Sequence, residues 1–180
     1  MYAPISITDA APVTPAKDPT HKKHITVPKN SKEKNGVEMY VRIPGNKLAP
    51  GEPYKVKAGT SFLVSTMIRN GTDNSARVAY GTDQRFDIII YTDEAQTDAY
   101  YRWGEHREFD QAFQDMMLGG GATISRILEV PTTDSKTITP GLENDLGKPL
   151  IPGTYYLWGT NEGDPFLADG PIKVIVEEHE

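Results

Sequence analysis

Four histidines and a scatter of acids are the side chains here that could do chemistry: His21 and His24 near the start, His106 in a charged stretch, and His179 at the tail. No predicted strand or helix brings two of them to metal-ligand spacing. Glu105-His106-Arg107-Glu108 with Asp110 offers a base with carboxylate partners. No Gly-x-Ser-x-Gly or other nucleophile setting accompanies it, so it reads as a solvated charged loop. Asp93, Glu94 and Asp98 lack the alternate-position ligands and the glycine of a calcium loop and read as a turn. Asn70-Gly71-Thr72 fits a glycosylation acceptor but, with no secretion signal, reads as a turn too. The chain has no cysteine, which excludes a thiol nucleophile, a thiolate zinc site and a disulfide framework. No Gly-rich run joins a strand to a helix, so nucleotide binding has no support. The expectation is a non-enzymatic chain with no catalytic, metal or cofactor-binding residue.

Composition shows what must carry such a chain. Its 180 residues fit one ordinary domain plus something extra, and its 14 prolines, 16 glycines, 37% hydrophobic content and mean hydropathy of -0.50 place part of it outside any core. Residues 1–36 hold five of the prolines and six lysines but no Leu, Phe or Trp. Six lysines against Asp9, Asp18 and Glu33 make this segment +3, which leaves -9 of the total -6 on residues 37–180. Proline fixes φ and biases the preceding residue to extended geometry, so the segment reads as an extended basic arm. Its candidate partner contacts are Ile5 and Ile7, with Val13, Ile25 and Val27 as further apolar anchors and Lys22 and Lys23 as a charge contact; a homo-oligomer formed through residues 1–36 is one use. The net charge argues against nucleic-acid binding, and no run approaches the ~20 apolar residues of a membrane span. A native Met1 without a secretory signal implies a cytoplasmic protein.

From Val37 the pattern becomes short strands between turns. Val37 to Ile43 alternates apolar and polar with period two and stops at Pro44-Gly45. Further strands are expected at 60–68, 76–80, 85–92, 99–103, 123–130, 154–159 and 172–176. Residues 109–117 place apolar side chains at 109, 112, 113, 116 and 117, which fits a short helix and equally an irregular edge strand. Pro131 to Leu150 reads as a long polar loop. Eight or nine short strands at this spacing predict an antiparallel β-sandwich.

The stretch from Asn70 to Tyr156 resembles the intracellular proteinase inhibitor family of the BsuPI type, whose domain is immunoglobulin-like. The features that carry the resemblance come in order. Asn70 ends a strand; Gly81, Gln84, Arg85, Phe86 and Asp87 enter a hydrophobic one; Tyr101-Arg102-Trp103 follows, then Phe109 with Gln111-Ala112-Phe113, then Pro152-Gly153-Thr154-Tyr155. Gly81-Thr82-Asp83-Gln84 is longer than the family's Ser-Gly-Gln, and Gly119-Gly120-Gly121-Ala122 stands where the family has Pro-Gly-Glu. The resemblance covers roughly residues 37–176 in layout and is dense over 81–113. By their own chemistry these residues read as structural. Trp103 and Phe109 would plug one end of the sandwich, Arg85 or Arg102 would pair with Asp87, and Tyr155 would pack its ring and bond its hydroxyl to backbone.

Two functions follow as expectations. The resemblance implies an inhibitor of serine proteases, with Gly104 to Asp110, including Glu105 and His106, and Thr132 to Leu150 as candidate loops. The alternative is a structural or adhesive subunit, in a virion surface, filament or other extracellular assembly, that engages its neighbours through the arm or an unpaired sheet edge. The expected organisation is the arm at 1–36 and an immunoglobulin-like all-β sandwich at 37–180.

Overall fold

A computed structural model describes residues 27, 31–136, 142 and 144–179 of the chain. They form eleven strands and, among the described residues, no helix: β1 (Glu33–Lys34), β2 (Val37–Arg42), β3 (Tyr54–Lys57), β4 (Phe62–Asn70), β5 (Ala76–Tyr80), β6 (Phe86–Tyr91), β7 (Ala99–Arg102), β8 (Gln114–Leu118), β9 (Thr123–Val130), β10 (Gly153–Asn161) and β11 (Leu167–Glu177). One sheet has the order β1-β2-β4-β9, the second β3-β11-β10-β6-β7, and β5 and β8 pair by themselves. Every pairing is antiparallel except that of β3 with β11. The fold is an all-β sandwich.

Burial of alternate side chains is what drives the layers together. In β4, Phe62, Val64, Thr66, Ile68 and Asn70 turn inward and Leu63 and Arg69 outward. The inward side chains meet Met39 and Val41 of β2, Leu128 and Val130 of β9, and Ile88, Ile90, Leu157, Val174 and Val176 from the opposite sheet. Each such fully buried side chain stabilises the fold by ~1.5–3 kcal/mol. Gly159 of β10 has no room for a side chain, since a Cβ there would lie 2.9 Å from a Val41 methyl of the facing sheet.

All six residues of β6 are buried. Phe86, Ile88 and Ile90 face the core, whereas Ile89 and Tyr91 lie on the outer face with Ala168, where Val27 covers them. The Val27 N–H donates to Gln96 Oε1 at 2.7 Å, and the Ala168 N–H donates to Ser31 O at 2.9 Å. β1 then pairs with β2. The described part of the expected arm thus lies against the sandwich, while Ile5, Ile7, Lys22 and Lys23 fall outside the described residues.

Of the two readings of residues 109–117, the strand is the one formed. β8 pairs in register with β5, and Arg77 Nε and Nη2 bind the Asp115 carboxylate across the pair at 2.9–3.1 Å. β3 and β1 were not expected, and β11 starts five residues before the strand read at 172.

Candidate protein-binding loops and their base

The site is built on one buried carboxylate. Asp87 sits in β6 with no exposure, and an ionised acid there needs every lone pair matched. Four donors supply this: Arg102 Nε at 2.6 Å and Gln84 Nε2 at 3.0 Å on Oδ2, and the N–H groups of Ile88 and Gly104 at 2.8 Å on Oδ1. Arg102 is the partner of Asp87. Arg85 instead donates to Gln114 Oε1 at 2.6 Å and lies over the Tyr80 ring. Gly104 is required where it stands, because a Cβ would fall 2.6 Å from Gln84 Nε2 and 2.9 Å from Asp87 Oδ2. Glu162 joins the cluster from the turn after β10 and accepts from Thr160 Oγ1 at 2.5 Å. Burial, and next to it the charge of Asp87, pushes its carboxyl above the usual glutamate range despite the Thr160 bond and Arg102.

On this base the chain leaves β7 as a loop. Trp103 packs at the rim of the core with its ring 6.2 Å from that of Phe109, and the Arg107 guanidinium lies over the indole at 4.0 Å while donating to Trp103 O at 2.9 Å. Asn70, fully buried, holds the opposite corner: its Nδ2 donates to Asn74 O and Leu118 O, and its Oδ1 accepts from Thr72. The turn at Gly81 is closed by Asp83 N–H donating to Asp110 O at 3.1 Å. Gly153 opens β10, and Tyr155, 3% exposed, donates its hydroxyl to Ile151 O at 2.8 Å with its ring edge-on to Tyr100.

The two loops that the sequence offers as separate candidates meet. His106, exposed and held at a φ of 58°, places Nε2 2.7 Å from Asp145 Oδ1, which also accepts the Gly147 N–H at 2.7 Å. Below them the Arg102 N–H donates to Leu146 O at 2.7 Å, and Lys148 sits over the Tyr100 ring at 4.4 Å. Partial burial works to raise the Asp145 carboxyl, but the Gly147 N–H and the His106 ring outweigh it and hold the group below the usual aspartate range. Glu105 lies half-buried beside His106. The result is a continuous surface made from residues 103–110 and 144–150, pinned at its centre. Neither periodicity nor spacing shows this contact in the sequence, because residues 106 and 145 lie 39 positions apart in two separate loops.

A β-sandwich with a pinned pair of end loops defines a class of framework, and the sequence pattern within it is specific. The pattern of the BsuPI intracellular proteinase inhibitors matches residues 48–165, more than half of the chain. The chain belongs to this family. No curated protein matches it. Among solved structures it is similar to a β-glucosidase from Listeria innocua (16% identity, TM-score 0.41, 79% of this chain and 16% of that one). It is also similar to the sporulation control protein Spo0M from Bacillus subtilis (10% identity, TM-score 0.42, 81% of this chain and 51% of that one). A third is the Pseudomonas fluorescens alkylpurine DNA glycosylase AlkC (12% identity, TM-score 0.38, 78% of this chain and 31% of that one). The chain therefore spans about half or less of the length of these proteins.

Proposed function

We propose that the chain is a non-enzymatic, protein-binding inhibitor of serine proteases that works inside the cell and presents the joined loops at 103–110 and 144–150 to the protease cleft. The family supports the class of activity, and the observation that carries the assignment to these loops is the His106–Asp145 contact above the buried Asp87 cluster. A loop held in one conformation loses little entropy on docking, and that retained entropy appears as affinity. The loops owe their rigidity to Asp87, Arg102 and Gly104 below and to the His106–Asp145 pin above.

Titration of the intact chain against a subtilisin-like protease tests this. Inhibition is expected, with His106→Ala and Asp145→Ala each weakening it by about tenfold through lost preorganisation while the melting temperature moves little. Inhibition unchanged in both variants would take the activity away from these loops.

A further inference from the structure

The sheet edges are treated unequally. An unpaired strand edge is a template for another strand, and proteins block it with Lys, Pro, bulges or a covering loop. β7 is covered, its Arg102 N–H given to Leu146 O. β3 is short and carries Lys55 and Lys57, whose ammonium groups pair with Glu177. β2 is closed by β1, by Lys32 O on the Met39 N–H and by the Asp169 carboxylate on the Val41 N–H.

Among the described residues β9 has no Lys, Pro, bulge or covering loop, and its charges are Arg126 and Glu129. Its eight residues, Thr-Ile-Ser-Arg-Ile-Leu-Glu-Val, contain no Lys, Pro or Gly, and its pairing with β4 runs without a bulge. The Asn70 N–H donates to Ala122 O, so stepping in twos along the ladder assigns the bonded pairs to Ile68–Ile124, Thr66–Arg126 and Val64–Leu128. The backbone groups of Ser125, Ile127 and Glu129 then point outward, and among the described residues they meet no partner. Beside this edge β8 has turned away to pair with β5, leaving a cleft of about 320 Å³ bordered by Asp83, Arg85, Gln114, Ser125 and Arg126. Arg126 is exposed and makes no ion pair among the described residues. On the outer face Ile127 is 59% and Leu63 48% exposed.

We propose that the β9 edge takes an extended segment of a partner protein as an added strand, with an acidic side chain opposite Arg126 and an apolar one opposite Ile127. The open backbone supplies the hydrogen bonds, the alternation of faces supplies the pattern, and the cations of the cleft select the charge. The surface adjoins the protease-facing loops at the Asp83–Asp110 contact, but its test uses no protease and its readout lies on β9, so its outcome leaves that reading untouched.

The probe is the capped heptapeptide Thr-Val-Glu-Val-Glu-Val-Thr, with a counterpart carrying Lys for Glu. Binding to the full chain is followed by amide exchange at Ser125, Ile127 and Glu129 and by sedimentation at the same concentrations. The Glu peptide is expected to slow those amides saturably by about tenfold and to bind about fivefold tighter than the Lys peptide. Arg126→Glu should invert that preference. Ser125→Pro, which removes an outward donor while sparing the ladder to β4, should abolish protection with the melting temperature retained. The proposal fails if neither peptide protects these amides, or if the preference is the same in Arg126→Glu. It fails also if the amides are already protected in a dimer without peptide, for a second copy is then the occupant.

Discussion

β6 and β9 are strands of similar length, yet every residue of β6 is buried and five of the eight in β9 are exposed. The difference lies in what each strand is given as neighbours. β6 lies between β10 and β7 with the core beneath it and Val27 above it. Among the described residues β9 has a neighbour on one edge and a core on one face. A strand covered on both faces can hold a charge, because enclosing loops bring donors to it. A strand open on one face and one edge keeps only the inward half of its side chains for stability, which frees the other half for contact. Support and recognition are thus divided between two strands of one sandwich.

The most severe way to break the β6 arrangement is Asp87→Ala. It strands the Arg102 guanidinium, of which a quarter is exposed, and leaves the Gly104 N–H and the Gln84 amide without an acceptor. Removing one partner of a buried pair costs about 3–5 kcal/mol, so denaturant unfolding should show a stability loss of that order. The loops at 103–110 lose their base at the same time, and protease inhibition should fall more than in His106→Ala. A loss below about 1 kcal/mol would mean that the pair behaves as a surface contact and that burial of β6 is incomplete.

The inner half of this comparison was legible from residues alone, and the outer half was not. Period-two alternation in β2 marks which of its side chains turn inward, and the unbroken Ile88-Ile89-Ile90-Tyr91 run marks both faces of β6 as covered, whereas β4 and β9, with Leu63 and Ile127 facing outward, show themselves as strands without showing their faces. What covers it was illegible: Val27 stands in a Pro/Lys-rich segment whose composition argues against a core, and one apolar residue there carries no period. β3, Tyr54-Lys55-Val56-Lys57, hides for a related reason, because four residues with two lysines are too short to show a period. β8 was ambiguous because 109, 112, 113, 116 and 117 satisfy a helical period, and what decided the matter was pairing with β5, a long-range event. At the site, Gln84 and Asp87 are three residues apart and stand in one sequence motif. Gly104 was missed as a donor to Asp87, and the His106–Asp145 contact joins residues 39 apart.

A milder test addresses the cover. Val27→Ala removes two methyl groups from a site 1% exposed and should cost about 1–2 kcal/mol. The loss should be local, with amides near Ala168 and Gln96 exchanging faster while those of β4 keep the protection of global unfolding. Trp158 provides an optical readout, since it packs against the same cluster and its Nε1 is buried without a hydrogen-bond partner among the described residues. Water reaching that N–H should shift its emission to longer wavelength. Uniformly faster exchange would show that the cover and the core unfold as one unit.

The smallest expected effect sharpens the contrast between a charge under cover and a charge in water. Glu162 has its carboxyl pushed up, foremost by burial, so the folded chain takes up a proton at a pH where the unfolded chain has already lost it. In that window the native state binds more protons, and stability falls as pH rises, levelling off once the folded-state carboxyl is fully ionised. Glu162→Gln keeps an acceptor for the Thr160 hydroxyl and removes the titration. The variant should melt above the parent at neutral pH, with the gap closing as the pH drops below the ordinary glutamate value. The same exchange at Glu129, exposed on β9, is the control and should leave the melting curve in place. A gap that widens toward low pH would mean that the proton on Glu162 is disfavoured in the fold, and that the donors around Asp87, rather than its negative charge, set the potential on the outer face of β6.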